Sequence, residues 1–569
     1  MDEHAHETSL APCWDVPVTG KDAPFSQELV TLTKQQHIEL VMQARYWKSL
    51  HERMSGRSNT LLSELQCLRQ RWQQRESELV GQLEAANALV RDLRHRLFGI
   101  KTERHSIDKT RLPRSGKSTR SRGHQRGIPG HGRTKLVHLP VREETIDIDD
   151  PKCPCCGLAL EDFGSEDNEV LEIEVKAYRR LIHRRRYRCT CRCGILPGIV
   201  TPTPPARLIE RGKFGVSVWV NVLLDKFLYA RPTSRLLSDL GDHGLVMSAG
   251  SLTGGLHAIA PLFAPLQKSW LAKLRSEPHW HADETRWEVF AEQEGKLGHR
   301  WYLWVFQSHS VIHYVLDPTR SARVPEAALA GVEHGIISCD RYSAYRAHAR
   351  RHPGIVLAFC WAHQRRDFLS LANSYPELWT WSMGWVEQIG RLYHLQGQRA
   401  QQPVHTSQFQ ALDTELRQAV QSMACQRDRA LADSALHSAA NKVLRSMLAH
   451  WAGLTVFVDQ PWLPMDNNAA ERAIRPAVVG RKNFYGSGSQ WSGELAATMY
   501  SLLMTIQLWD LNARTWLSAY LQACAANGNR APADVSAFVP WQMDTVQLDA
   551  MRSCAHGSRS TGPRHNDSS

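Results

Sequence analysis

Trp280-His281-Ala282-Asp283-Glu284-Thr285-Arg286-Trp287-Glu288-Val289-Phe290 is the stretch on which the fold turns. It reads as a β-strand with two acids at its centre. Gly295 to Gly298 is a turn signal, and Arg300 to Gln307, rich in Trp and Tyr, is a second strand. Val311 to Leu316 is a third, and Pro325 to Leu329 begins a crossover helix. Gly335-Ile336-Ile337-Ser338-Cys339-Asp340 is a fourth strand, apolar in pattern and ending on an acid, and Ile355 to Trp361 is a fifth.

Three antiparallel strands, a helix and then parallel strands is the order of an RNase H-like sheet. In that topology the first and fourth strands are neighbours, so Asp283 and Asp340 converge. A third acid arrives later in Asp466-Asn467-Asn468-Ala469-Ala470-Glu471-Arg472-Ala473-Ile474-Arg475-Pro476. The first three residues are helix N-cap types, and Ala469 to Ile474 favours helix. Pro476 disfavours helix at Arg475, which predicts a brief helix. Glu471 stands on it among Arg472, Arg475, Arg481 and Lys482. Taken alone, such a carboxylate belongs to a solvated ion pair. Three acids in this order point instead to a metal site within a phosphate-binding cleft. Mg²⁺ takes oxygen ligands and keeps substrate phosphates in its octahedron. Two such ions, about 3.5–4 Å apart, can stabilise the attacking and leaving oxygens of an in-line phosphoryl transfer.

Outward from this core the chain of 569 residues is too long for one domain. Its apolar content of 42% supports globular cores, and its net charge of +12 favours a polyanionic partner over a merely basic surface because the cations cluster. Residues 1–27 read as disordered and 28–98 as a helix. Leu79, Leu83, Ala86, Val90, Leu93 and Leu97 form a coiled-coil seam in it, continued less cleanly upstream by Leu61, Leu65, Leu68 and Trp72, with a break at Gly56. This seam predicts self-association; packing on its own domain is the alternative. Residues 99–140 are a Gly/Pro-rich linker whose Lys and Arg residues face only Glu103 and Asp108 in Lys101 to Lys135, and it suits a phosphate backbone.

Residues 141–200 hold Cys153-Pro154-Cys155-Cys156-Gly157 and Cys189-Thr190-Cys191-Arg192-Cys193-Gly194, with a predicted β-hairpin over Val170 to Arg188 between them. This is the pattern of a small zinc ribbon. Cys153 and Cys156 are its natural first pair. Cys189 with Cys193, or Cys191 with Cys193, supplies the irregular second. Arg179, Arg180, Arg184, Arg185, Arg186 and Arg188 make the module a second nucleic-acid candidate. The 13 cysteines of the chain, a polar Met1 to Leu10 and the lack of an 18-residue apolar run describe an intracellular, reduced protein without a membrane span. Residues 201–276 read as a helical domain in which Ser248 to Ala258 resembles a helix–turn–helix only weakly, packing being the better reading. Residues 277–373 and 456–512 read as two parts of the sheet-bearing core, and 374–455 between them, longer than an RNase H-like fold requires, reads as mostly helical. Leu495 to Leu511 reads as an amphipathic helix. In the tail, 513–569, Phe538-Val539-Pro540-Trp541 is a docking segment.

These motifs resemble the IS66 family of DDE transposases. The resemblance is carried by His281-Ala282-Asp283-Glu284-Thr285, Asp340 with Tyr342 and Tyr345, and Cys360-Trp361-Ala362-His363 with Arg365, Arg366 and Phe368. The Asp466–Arg475 block and Gly480-Arg481-Lys482-Asn483 complete it. It spans nearly the whole chain. Arg341 stands where the family commonly has Gly, and the second cysteine knuckle is irregular. The resemblance implies a multidomain α+β protein with an RNase H-like catalytic domain, helical insertion, N-terminal coiled coil and zinc module. It implies Asp283, Asp340 and Glu471 as the triad holding Mg²⁺ or Mn²⁺, with Arg472, Arg475, Arg481 and Lys482 on DNA. It further implies a homo-oligomer in the bacterial cytoplasm, associated with the nucleoid, acting on element ends and target DNA, with accessory proteins that such elements often encode. The rival readings are a nuclease that cuts without joining, a DNA-binding regulator and an inactive copy. His363 reads either as touching the DNA or the active site, or as half of a packed or zinc-bound pair with Cys360.

Overall fold

The computed structural model describes residues 31–98, 177–188, 199–291 and 298–552. Cys153, Cys156, Cys189, Cys191 and Cys193, the basic linker and residues 1–27 therefore lie outside the described residues. The chain divides into two units, residues 1–99 and 100–569.

The first unit is one helix, α1 (Lys34–Phe98). It runs straight through Gly56, against the break expected there. A lone Gly costs a helix about 1 kcal/mol relative to Ala, too little to interrupt so long a run. The seam residues Leu79, Leu83, Val90 and Leu93 are exposed on this single chain, as are Leu61, Leu65, Leu68 and Trp72.

In the second unit the described residues start at 177. Of the hairpin expected over Val170 to Arg188, residues 177–186 carry no strand, and Tyr187–Arg188 pairs antiparallel with Ile199–Val200 instead. A helical layer follows: α2 (Val216–Leu223), α3 (Thr233–Asp242), α4 (Ala249–Ile259) and α5 (Ala264–Arg275). Packing, rather than DNA reading, explains α4, which buries Leu252, Gly255, Leu256 and Ile259. A Cβ on Gly255 would fall inside the Trp219 ring, whereas Gly254 beside it faces open space. Gly255→Ala is therefore expected to lower the thermal midpoint: overpacking costs about 1–3 kcal/mol and outweighs the helix gain of about 1 kcal/mol. Gly254→Ala keeps the gain without the clash and should raise the midpoint. Thermal melts of the two variants check the opposite signs.

The sheet has five strands in the order β3-β2-β1-β4-β5. They are β1 (His279–Glu288), β2 (Arg300–Gln307), β3 (Ile312–Asp317), β4 (Gly335–Cys339) and β5 (Ile355–Phe359). β1, β2 and β3 form an antiparallel meander, and β4 and β5 run parallel to β1. Helix α6 (Arg323–Ala328) crosses from β3 to β4, and α7 (Ser343–Arg351) from β4 to β5. Strands therefore occur where the aromatic and β-branched runs place them.

After β5 the chain is helical: α8 (Trp361–Ser374), α9 (Trp379–Arg399), α10 (Ser407–Ala432) and α11 (Ser438–Ala449). The fully buried Arg399 ties this region to the chain that returns to the sheet. It pairs with Asp413 and donates to the carbonyls of Phe457 and Val458.

Helix α12 (Asn468–Phe484) then crosses one face of β1 and α13 (Gln490–Leu508) lies along β3. The brief helix expected before Pro476 is instead 17 residues long and contains the proline. An interior proline costs a helix about 3 kcal/mol. Here Ala470, Ala473, Ile474, Ala477 and Gly480 all bury against the core, and that apolar face offsets the penalty. Helix α13 is not amphipathic as expected. Every residue from Leu495 to Ile506 is buried. Its hydroxyls complete the edge of the sheet: Ile312 N–H donates to Thr505 Oγ1 (2.9 Å), Tyr314 N–H to Ser501 Oγ (2.8 Å), and Thr505 returns a bond to the Ile312 carbonyl (3.1 Å). An edge strand left bare would offer those groups to another chain.

Helix α14 (Ala513–Ala526) packs behind α2. The Phe538–Trp541 segment docks as expected, with the Trp516 indole donating to the Phe538 carbonyl (2.9 Å) and Trp541 edge-on to Trp270 at 4.8 Å. Among the described residues no helix is long and apolar enough to cross a membrane.

Candidate active site

Side chains alternate across a strand, so residues of β1 divide between two faces. Trp280 and Glu284 turn toward α5 and α7: the Trp280 indole donates to the Leu274 carbonyl (2.7 Å), and Glu284 accepts from the Tyr345 hydroxyl (2.7 Å). His281, Asp283, Thr285 and Trp287 take the α12 side. His281 meets Asn467, Thr285 meets Arg481, and Trp287 meets Phe484 and Tyr500 edge-on at 6.2 Å. Asp283 is thus presented to the helix that carries Glu471.

Asp340 comes from the neighbouring strand. β4 pairs with β1 through Ile336–Ser338 opposite His279–His281 and ends at Cys339, leaving Asp340 as the next residue. Its Oδ1 accepts the Tyr342 amide at 2.9 Å and so caps the turn into α7. Burial raises the pKa of Asp283 from 3.8 to about 7, and the carboxylates of Glu284, Asp340 and Glu471 add to the rise. Only the Glu284 amide, 2.9 Å from Oδ1, opposes it. Three separate elements thus bring negative charge to bear on one acid.

The third element is held in place by Asn467. Expected as a helix cap, it makes no cap bond. Its side chain instead reaches back to β1: Nδ2 donates to the Ala282 carbonyl (2.8 Å), and Oδ1 lies 3.0 Å from Nδ1 of His281. Its own amide donates to the Cys360 thiol (3.2 Å) at the end of β5. One residue, 2% exposed, therefore joins β1, β5 and the start of α12 beside Asp283. Removing it leaves buried polar groups without partners, at about 1–3 kcal/mol each. Asn467→Ala is expected to destabilise the protein by roughly 2–4 kcal/mol. Chemical denaturation measures this, and a change below about 1 kcal/mol would remove Asn467 from its structural role.

Glu471 is paired with a cation. Its Oε1 lies 2.9 Å from Arg366 Nη2 and 4.0 Å from Nε2 of His363, both on α8. Burial, then Arg366, lowers the His363 pKa, while Glu471 and Asp340 pull it up. Among the described residues, no three His, Cys, Asp or Glu side chains stand close enough together to hold one metal ion as placed. Glu284, the second acid of the motif, pairs with Arg320 on the far face, its side chain 2% exposed. Arg341 is committed elsewhere, bonding Gln364 (3.1 Å), Ser446 (3.1 Å) and Asp367 (2.5 Å).

Arg472, Arg475 and Lys482 are exposed on α12, with Arg481 half-buried. Arg481 hydrogen-bonds Thr285 Oγ1 (3.1 Å) and the Arg286 carbonyl, so it anchors α12 to β1. The roles of Asn467 and of the Arg366–Glu471 pair escape a reading of residue order, because each partner lies about a hundred or more positions away. The signal available was the Cys360 to Arg366 cluster, whose aromatic, thiol and cationic residues sit at the end of a buried strand.

A family model described as "Transposase IS66 family" matches residues 211–495. The chain is similar to three proteins of Sinorhizobium fredii (strain NBRC 101917 / NGR234). It is 27% identical to uncharacterized protein y4jD over 72% of this chain and 82% of that one. It is 26% identical to uncharacterized protein y4hP over 68% and 73%, and 27% identical to uncharacterized protein y4qI over 71% and 76%. No solved structure matches the chain significantly.

Proposed function

Because the chain belongs to the IS66 family of transposases, we propose that it cuts DNA at the ends of an insertion sequence and joins the freed 3′ ends to target DNA. The observation that carries this reading is the placement of Asp283 on the α12 side of β1, next to the end of β4 that leads into Asp340, with Glu471 on α12; the raised pKa of Asp283 accords with it. Acids brought from separate elements toward one face of an RNase H-like sheet are what phosphoryl transfer with divalent metal requires.

Asp283, Asp340 and Glu471 are hard oxygen donors and fit Mg²⁺ or Mn²⁺. Such ions, when bound, lower the pKa of water and offset charge on the attacking and leaving oxygens. The protein's part is to bring the three carboxylates together. Asp283 gives up its proton, and Glu471 leaves Arg366. That pair is about a third or more exposed on both sides, so breaking it costs only about 0–1 kcal/mol. Arg366 then exchanges Glu471 for the DNA backbone. Arg472, Arg475 and Lys482, with Arg481 beside them, hold phosphates near the acids, and binding weakens as salt rises.

In the same reading Cys153 and Cys156 with Cys189 and Cys193 hold a structural zinc, on the strength of their spacing. The basic linker and the exposed Arg179 to Arg186 contact DNA. The apolar seam of α1 pairs with a second copy of the chain. The work is done in the bacterial cytoplasm on the nucleoid, with element-encoded accessory proteins where these exist.

The deciding experiment incubates purified protein with Mg²⁺ and DNA from the flanks of its own gene. Cutting and joining are expected. Cutting without joining would make the protein a nuclease, and metal-independent binding with neither would leave a regulator or an inactive copy.

A further inference from the structure

A cleft of about 1060 Å³ opens at the start of β1, on the face that carries Asp283. Its lining includes His279, His281, Trp462, Ala469, Trp509 and Arg552. His279, His281 and Asp283 alternate along β1 and share one face, so the cleft begins about 6.6 Å, or two strand residues, from Asp283.

Trp462 dominates the cleft. It is 54% exposed, yet the loop that carries it is fixed on both sides. The buried Gln396 amide donates to the carbonyls of Pro461 (2.9 Å) and Leu463 (3.2 Å), and Leu463 and Met465 are buried. The indole N–H is bonded to Gln460 (2.9 Å), and the ring stands edge-on to His279 at 5.4 Å. A rigid loop that holds a large aromatic ring in open space is a preformed contact rather than unfinished packing.

Burial, then the neighbouring His281 ring, lowers His279 to about 3, so its imidazole is uncharged. The Asn467 side-chain oxygen accepts from Nδ1 of His281 at 3.0 Å. His279 Nε2 is bonded to Ser338 Oγ at 2.8 Å. The cleft therefore joins flat, neutral rings to polar edges, and it sits one short step from groups proposed to act on a phosphodiester. The charged groups on its walls are two carboxylates, Glu277 and Asp510, against one cation, Arg552; phosphate fits that balance poorly, whereas an unstacked base has π-faces and hydrogen-bonding edges that match the rings.

We propose that this cleft receives one unstacked nucleobase flanking the scissile phosphate, with Trp462 as its stacking platform. The inference rests on the transposase reading for the identity of the DNA. Extruding a base takes the strand out of its duplex path and exposes the neighbouring phosphate, which is how enzymes reach atoms that a stacked helix shields.

The test uses the full-length protein and element-end DNA with 2-aminopurine at each position flanking the cleavage site in turn. Fluorescence is read on binding, and cleavage is read separately. One position is expected to change its emission with wild type. Trp462→Ala should abolish that change and slow cleavage roughly 10- to 100-fold, while Trp462→Phe should retain both. Trp462 is exposed, so neither variant threatens the core. A signal that depends on Trp462 in a protein that does not cut would keep the cleft and reject the transposase reading. Cutting with no responsive position, or with a response unchanged in Trp462→Ala, would overturn the cleft while leaving that reading intact. Absence of any response in wild type overturns the cleft whether or not the DNA is cut.

Discussion

Glu471→Gln should reduce DNA cleavage by about 10³-fold or more while leaving DNA affinity within a few-fold of wild type. The substitution keeps the shape of the side chain and removes its charge. It takes away an anionic metal donor, which is worth several kcal/mol in the transition state, and no cation that meets phosphate. It also weakens the pair with Arg366, which is half-exposed and contributes little to stability. Single-turnover cleavage and a binding titration at one fixed salt concentration separate the two effects. Equal losses of binding and cleavage would count against Glu471 as a ligand and make it an architectural residue of α12.

The same pair bears on how the site is assembled. Arg366 and His363 lie on α8, which begins two residues after β5 ends, whereas Glu471 lies on α12 after the long helical stretch. A weak ion pair across those elements holds Glu471 in a defined place without fixing it. In the proposed site DNA phosphate would compete for Arg366 and a divalent cation for Glu471, so each ligand would release the group that the other needs. Binding of the two would then be positively coupled by the cost of one surface ion pair, about 0–1 kcal/mol.

The strands were legible because each is a short run of aromatic and β-branched residues bounded by Gly or Pro, and burial on both faces leaves little else that such runs can form. The acids could be ordered from the same reading, since Asp340 terminates an apolar run and Asp283 interrupts another. Helix length was less legible. Pro476 and Gly56 are local signals, and at both positions a longer-range term prevailed: the buried face of α12 at one, sheer helix length at the other. Helix α13 was misread because Ser501 and Thr505 look like a polar face. Their hydroxyls are in fact spent on the edge of β3, and that use depends on a strand nearly two hundred residues away. Asn467 misled in a similar way, since an Asn before a helix usually caps it, whereas here its amide faces β1. Trp462 drew no notice at all, as an exposed aromatic in a loop has no periodic pattern to mark it.

Asp283→Asn should produce changes of opposite sign in stability and in activity. In the folded protein Asp283 holds its proton up to about pH 7, against 3.8 ordinarily, because burial and three neighbouring carboxylates disfavour its charge. The folded state therefore binds this proton more tightly than the unfolded chain does. Its contribution to stability is full below about pH 4 and is lost as pH rises through 7. Asparagine has no proton to lose, so that decline should be absent from the variant. At pH 8 without divalent metal the variant should be more stable than wild type by roughly 1–3 kcal/mol, less than the full shift implies because Asp283 is partly exposed. At pH 4 the two should differ little. Added Mg²⁺ should stabilise wild type at pH 8 far more than the variant, since the dication relieves a repulsion that asparagine has already removed. Cleavage by the variant should fall about as far as in Glu471→Gln. Thermal melts at pH 4 and 8, with and without Mg²⁺, read the stability arm independently of any DNA. Parallel pH profiles for the two proteins would mean that the carboxylates around Asp283 do not act on it, and the proposed metal site would lose its main support. The expected divergence of the profiles above pH 4 would show the acids straining against one another for want of a cation, so that the cluster is maintained at a cost to folding.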